Sequence, residues 1–270
     1  MIMRMTMAVA HLAVLVWALI AAPVHAGAAV RAEIAVDVGH TLLASGATSA
    51  RGRTEFEFNR ELAQALRVAL STLGFAVRLI NEDGRIASLQ ARPQAAEGVD
   101  LLLSIHHDSV NAFELQSWQW RGQDLDFNDD HAGHSLFVSR DNPDTARSIL
   151  CARVIGARLQ RMGFVPTHKN GRRRAYADPE HAVHYYDGLA VLRHARMPAV
   201  LFEAGVIKNR DEELLLRDPA RIARMADAIA TAVAACVLHG DPAQSEAAAD
   251  APVRHPTNAD ALEEDPGGRI

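Results

Sequence analysis

The chain has 270 residues, of which 49% are hydrophobic and 23% charged, enough apolar material for one globular domain with a full core. Aromatics make up only 5%, so that core must be built mostly from Leu, Val, Ile and Ala. A formal net charge of −5 argues against a general nucleic-acid binder, which needs positive charge to neutralise phosphates.

In chain order, the first segment reads as a secretory signal. Arg4 supplies the positive start, an apolar run extends from Ala8 to Ala22, and Val24 and Ala26 place small residues where signal peptidase reads. The run is short for a membrane span, so residues 1–26 are expected to be removed, leaving Gly27 first and no stable membrane span. An uncleaved anchor is the competing reading. The body, 27–240, then alternates apolar β-rich runs with helical patterns. Glu33–Val38 reads as a strand. Phe58, Leu62, Leu66, Leu70 and Leu73 recur at helical spacing until Gly74 stops them. Ala76–Ile80 is a second strand, a helix is expected from Ile86 to Glu97, and Val99–Ile105 is a strand buried on both faces because it lacks alternation. Ser135–Ser139 and Pro198–Phe202 are further strands, and Asn142–Met162 and Pro219–Leu238 further helices. Such alternation predicts an α/β fold: a single domain with a mostly parallel twisted sheet and helices on both faces. From Asp241 the composition turns to Ala, Pro, Asp and Glu, with seven acids against Arg254 and Arg269. Residues 241–270 are expected to be a disordered acidic tail. The two cysteines, Cys151 and Cys236, fall in separate helical segments. Export permits a disulfide between them, and two separately buried thiols fit the sequence equally well.

Three of the buried strands end on residues with chemistry. The first stops at His40, the third at His106 and His107, and the last at Glu203. Ligand sites in open α/β sheets lie beyond the carboxyl ends of the strands, so neighbouring parallel strands would gather imidazoles and a carboxylate in one crevice. Any one of these residues alone is more simply a strand cap. Glu55 is a further candidate. Thr54 and Glu57 form a capping box at the start of a helix, which leaves Glu55 either free to face the crevice or simply favouring the helix N-terminus electrostatically. Two His and one Glu make a catalytic zinc set with a fourth position open to water. A second carboxylate would move the proton.

The runs VDVGH, TEFEFN, LLLSIHHDS and MPAVLFEAGVIKNRDEELLL, in that order from Ala32 to about Val237, resemble the zinc-dependent N-acetylmuramoyl-L-alanine amidases of the amidase-3 family. The resemblance implies an exported, periplasmic or secreted hydrolase. It would cut the bond between N-acetylmuramic acid and L-alanine in peptidoglycan, using one Zn2+. By position it makes His40, Glu55 and His106 the metal ligands, with Asn59 at the family's interval after Glu55, and Glu203 the catalytic acid/base. Two departures stand out. Thr41 and Leu42 occupy the place of the usual second Gly, and His107-Asp108 replaces the usual Ala-Asn, which makes His107 a rival ligand to His106. Alternation along a strand allows only one of the pair to face the metal.

Two stretches remain. The basic run His168–Arg174 would suit stem-peptide carboxylates, yet it reads first as a solvated loop. Ala112–Gly133 carries Trp118 and Trp120, which would either stack on sugars or pack on the domain. Some members of the family carry an inserted helix that plugs the zinc site until an activator removes it. No amphipathic insertion follows Ser135–Ser139, so the plug is expected to be absent and the body to act without an added activator; a monomer is also expected. The rival functions are a zinc peptidase acting on stem peptides and a non-catalytic wall-binding protein.

Overall fold

The structure is a computed structural model and describes residues 32–239. The expected signal, 1–26, and the expected tail, 241–270, lie outside the described residues.

A seven-stranded sheet forms the frame. In chain order its strands are β1 (Glu33–Val38), β2 (Ala76–Ile80), β3 (Leu101–Asp108), β6 (Ser135–Val138), β7 (Tyr176–Asp178), β8 (Val183–Tyr185) and β9 (Ala199–Val206). A separate antiparallel hairpin is made by β4 (Gln116–Trp120) and β5 (Gln123–Phe127). The order across the sheet is β2-β1-β3-β9-β6-β8-β7. Strands β2, β1, β3 and β9 run parallel, β6 turns antiparallel to β9, and β7 pairs antiparallel with β8. The three strands that lead to His40, His106 and Glu203 are therefore consecutive and point the same way, with β3 and β9 running on past those residues to Asp108 and Val206.

Alternation along the strands sends side chains to two unlike faces. On one face, Val36, Leu103, Ile105 and Phe202 pack against three long helices: α1 (Glu55–Thr72), α3 (Thr145–Arg161) and α6 (Pro219–His239). Leu62, Leu66 and Leu70 of α1, one turn apart, form its buried stripe. On the other face, Ala35, Leu102, Phe137 and Leu201 are covered by the much shorter α2 (Ala91–Ala95) and α4 (Ala190–Arg193) and their flanking turns. The remaining helix, α5 (Arg210–Leu216), follows β9 and is capped by Asn209, whose side chain accepts the amides of Asp211 and Glu212.

Several elements differ from their sequence expectation. The helix expected over Ile86–Glu97 shrinks to α2. Asn81, at φ 60°, accepts the Ile86 amide at 3.0 Å, and a tight turn at Gly84 sets the chain down on Phe56. That leaves the segment before α2 tied to the end of β1 as a loop. The helix expected from Asn142 begins at Thr145, because the Asn142 side chain is spent elsewhere: its Nδ2 donates to the carbonyls of Leu192, Ala195 and Met197, at 3.0, 3.3 and 3.0 Å. Asp144 caps the helix in its place. Strand β3 runs on through His106 and His107 to Asp108. The two cysteines are joined: Cys151 of α3 and Cys236 of α6 form a disulfide, with Cα atoms 5.2 Å apart and 85 residues between them in sequence. In the chain-entropy account such a closure removes about 4–5 kcal/mol of freedom from the unfolded chain.

Candidate metal centre

The site starts where β1 stops. The Gly39 amide donates to the Ile105 carbonyl at 3.0 Å, and a Cβ on Gly39 would run into the His106 imidazole. Only glycine lets the first strand end pass so close to the third. The next residue, His40, takes the left-handed conformation, φ 66°, which L-residues other than glycine rarely adopt. Its carbonyl is held by Asn81 Nδ2 at 2.7 Å and Arg92 Nη2 at 2.5 Å. Arg92 also donates to the Val38 carbonyl and to Asp37, both at 2.6 Å, and Ser104 Oγ donates to the other Asp37 oxygen at 2.7 Å. Asp37 and Arg92 are buried, so the pair is a satisfied internal network that fixes the backbone carrying His40. The loop in which Thr41 and Leu42 replace the usual Gly is a tight turn. The Thr41 amide donates to the Ala44 carbonyl, the Thr41 hydroxyl accepts the Ala44 amide, and Leu43 is left fully exposed.

Glu55 opens α1 and is buried. Its cap partner is Glu57, whose carboxylate accepts the Thr54 amide at 3.1 Å and hydroxyl at 2.8 Å. Glu55 is thus released toward the strand ends. Its Oε2 lies 3.0 Å from His40 Nε2, and its Oε1 lies 3.0 Å from His106 Nδ1. One nitrogen of each imidazole and one Glu55 oxygen fall within 4.8 Å of one another. The Ala47 amide, at 3.1 Å, and Asn59 Nδ2 and the His107 amide, each at 3.3 Å, orient the carboxylate. Burial alone would raise its pKa, but the hydrogen bonds and charges of His106 and His40 hold it well below the usual carboxylate range. At Gly46, φ 77°, a Cβ would strike the Glu55 carboxylate and the His40 ring. Two glycines therefore keep the space around the cluster clear. The arrangement can hold a metal ion.

His107 goes the other way. It is buried on the helix-covered face, donates from Nδ1 to Asn59 Oδ1 at 2.8 Å and lies 5.4 Å from the Phe58 ring. Burial pushes its pKa down to about 3, and it stands apart from the donor cluster. Asn59 thus touches both sides of β3, through Glu55 on one and His107 on the other.

Glu203 pairs in register with His106 across β3 and β9. Its Oε2 is buried and has no partner among the described residues. Burial first, then the charges of Asp108 and Glu55, raise its pKa well above the usual value, while Lys169 and Arg174 act the other way. A carboxylate in this state suits proton transfer.

Three other features differ from, or complete, the sequence reading. The basic run is only partly solvated: Lys169 Nζ sits 2.7 Å from the Asp108 carboxylate, and Asn170 Nδ2 donates to Asp108 at 3.0 Å and to Ser135 Oγ at 3.3 Å, while Arg172 and Arg173 are exposed. The tryptophans pack on the domain. Trp118 Nε1 donates to the Ala50 carbonyl at 2.9 Å, and the Arg51 guanidinium lies over both rings, at 5.4 and 5.0 Å. Finally, Arg92 and Asn81, which place His40, carry no sequence signal, and Gly46 gave none either.

Comparison with known proteins supplies the rest. A family model described as N-acetylmuramoyl-L-alanine amidase matches residues 34–235. Among solved structures, the N-acetylmuramyl-L-alanine amidase Ami1 of Mycobacterium smegmatis superposes with a TM-score of 0.62 at 20% identity, over 76% of this chain and 96% of that one. The catalytic domain of CwlV, an N-acetylmuramoyl-L-alanine amidase of Bacillus (Paenibacillus) polymyxa var. colistinus, gives 0.58 at 24% identity, over 75% and 96%. The CwlD amidase of Clostridioides difficile, solved in complex with the GerS lipoprotein, gives 0.60 at 20% identity, over 78% and 100%. At these identities the structures show a shared fold. No curated protein matches the chain in sequence.

Proposed function

The chain belongs to the N-acetylmuramoyl-L-alanine amidase family and so hydrolyses the amide that joins N-acetylmuramic acid to L-alanine in peptidoglycan, and from this premise we propose that His40, Glu55 and His106 hold a zinc ion while Glu203 moves the proton. The observation that carries the proposal is the convergence of two imidazole nitrogens and a carboxylate oxygen at adjacent strand ends. The donor set fits zinc. Two imidazole nitrogens and a carboxylate are the ligand types zinc takes, and each imidazole lies 3.0 Å from one of the two Glu55 oxygens. The room that Gly39 and Gly46 leave also fits.

When bound, zinc supplies a Lewis acid that polarises the amide carbonyl and brings a water's pKa toward neutrality. The rest belongs to the chain's own residues. Asn59 and the Ala47 amide keep Glu55 pointed at the two histidines, and the Arg92–Asp37 network holds His40 in its strained conformation. Glu203, half-buried and with one buried, unpartnered oxygen, takes the proton from the attacking water and delivers it to the departing L-alanine nitrogen.

The remaining assignments are part of the same reading. Residues 1–26 are a signal cleaved after Ala26, the catalytic body runs from 27 to 240, and 241–270 is an acidic tail. The protein works as a monomer in the periplasm or outside the cell and needs no activator. The Cys151–Cys236 disulfide supports an oxidising compartment. Among the described residues no helix is long and apolar enough to cross a membrane. The test is digestion of purified peptidoglycan with and without chelator, read by mass spectrometry beside the zinc content of the protein. New amino-terminal L-alanine that disappears with the metal is the expected result. New D-amino termini would indicate a stem peptidase instead.

A further inference from the structure

The basic run that packs against the end of β3 lines a cavity of about 280 Å³, together with Asp108, Ser109, Phe113 and Glu114. Its acids are already satisfied. Asp108 is taken by Lys169, at 2.7 Å, and Asn170. Glu114 accepts from Asn111 at 3.0 Å and lies 3.3 Å from His131 and 3.7 Å from Arg172. Two of its four cations are not. Among the described residues no carboxylate lies within 4.0 Å of Arg173 or Arg174. Arg174 is half-buried, its guanidinium is held 3.8 Å over the Tyr186 ring, and its Nε is buried with no hydrogen-bond partner. A guanidinium immobilised by stacking and lacking an acceptor is a site for a planar anion. The positive excess is local, because the chain as a whole is negative.

The cavity adjoins the reaction centre from two directions. Asp108, on its wall, is two residues beyond His106 on β3, or roughly 6–7 Å along the strand. Asn170, on the other wall, is bonded to Ser135, which pairs in register with Glu203. The substrate has a matching charge. In a stem peptide whose second residue is a glutamate joined through its side-chain carboxyl, the α-carboxylate is free. It follows the scissile amide by about one residue, some 3–7 Å of chain.

We propose that this cavity is the stem-peptide subsite and that Arg174 receives the free α-carboxylate of the second residue, so that the enzyme prefers stems carrying that carboxylate over stems in which it is amidated. The inference rests on the amidase reading above. The carboxylate gains two parallel charge-assisted hydrogen bonds, whereas the neutral amide brings its own donors against the guanidinium and leaves the charge unmatched.

The experiment compares kcat/KM of the full enzyme, zinc loaded, on two soluble muropeptides that differ only in this group, α-carboxylate or α-amide. The expected preference for the acid is about tenfold or more. In Arg174→Gln the ratio of the two should collapse toward one, with the change carried by KM for the acid. Equal cleavage of both muropeptides by the wild-type enzyme overturns the inference and leaves the amidase standing. Cleavage of neither overturns the amidase reading itself. A preference that survives Arg174→Gln removes Arg174 from the role. Should that variant not fold, inhibition of the wild type by the free peptide L-alanyl-γ-D-glutamate, set against its α-amide, decides the question: equal inhibition by the two sinks the proposal.

Discussion

The two faces of the sheet differ in what covers them, and the difference locates the chemistry. The face under α1, α3 and α6 is apolar along its strands except for the buried His107 near the end of β3, and is closed by three long helices. The face under α2 and α4 is apolar only in its middle, and toward the carboxyl ends it carries Asp37, Ser104, His106 and Glu203. Adjacent residues separate accordingly. His106 joins the cluster with His40 and Glu55, while His107, one residue on, is packed beneath α1 with its pKa pushed down by burial. The lesson is that thin cover, rather than residue type, decides which histidine is available for chemistry.

The largest effect that would break this contrast is at the ligands. His106→Ala and His40→Ala should each lose both zinc and turnover, whereas His107→Asn should keep its zinc. Zinc content measured on the purified variants decides, and full occupancy in His40→Ala would sink the ligand assignment. Next comes Glu203→Gln, which should keep zinc and fold but turn over about 10²–10⁴-fold more slowly. If that variant loses its metal, Glu203 is a ligand and Glu55 needs another role. Arg92→Gln probes the support beneath the open face. Removing one partner of a buried pair strands Asp37 and frees the His40 carbonyl, so zinc affinity should fall about 10–100-fold, with melting lowered as well. Competition with a chelator of known affinity reads the first effect.

On the covered face the expected effects are on stability alone. Replacing both Cys151 and Cys236 by Ala should cost about 2–5 kcal/mol in denaturant unfolding and leave zinc content unchanged. The smallest effect is one of pH. His134, buried near Phe202, has its pKa pushed down to about 4 by burial, with the charge of Arg221 adding to the shift. A histidine depressed in the folded state binds its proton more readily when unfolded. Stability should therefore decline as pH falls from about 6.5 toward 4, by up to about 3 kcal/mol. A His134→Phe variant that declines just as steeply would assign the loss to other groups.

The sequence carried the frame of this molecule better than its supports. The strands that end on His40, His106 and Glu203 were legible because each is a buried apolar run that stops on a polar residue, and the family resemblance then chose Glu55. What was not legible depends on contacts between distant segments. Arg92 is an ordinary arginine in a short helix until Asp37 and the His40 carbonyl are brought beside it. The helix expected over Ile86–Glu97 shortens because the Asn81 side chain ties down the Ile86 amide. Strands of three residues, such as β7 and β8, give too short a pattern to read, and arginines in a row look solvated until one of them stacks on Tyr186. The cysteine pairing is likewise a tertiary fact.

That pairing also determines how the protein bears load. Cys236 lies three residues before the last residue of α6, His239, so a pull applied to the chain beyond His239 passes within one helical turn into a covalent link to α3. The remainder of α6 is spared from peeling off the sheet. Neither α3 nor α6 contributes a donor to the cluster of His40, Glu55 and His106. Tension arriving from that end would be carried across two outer helices and would bypass the strands that hold the reaction centre.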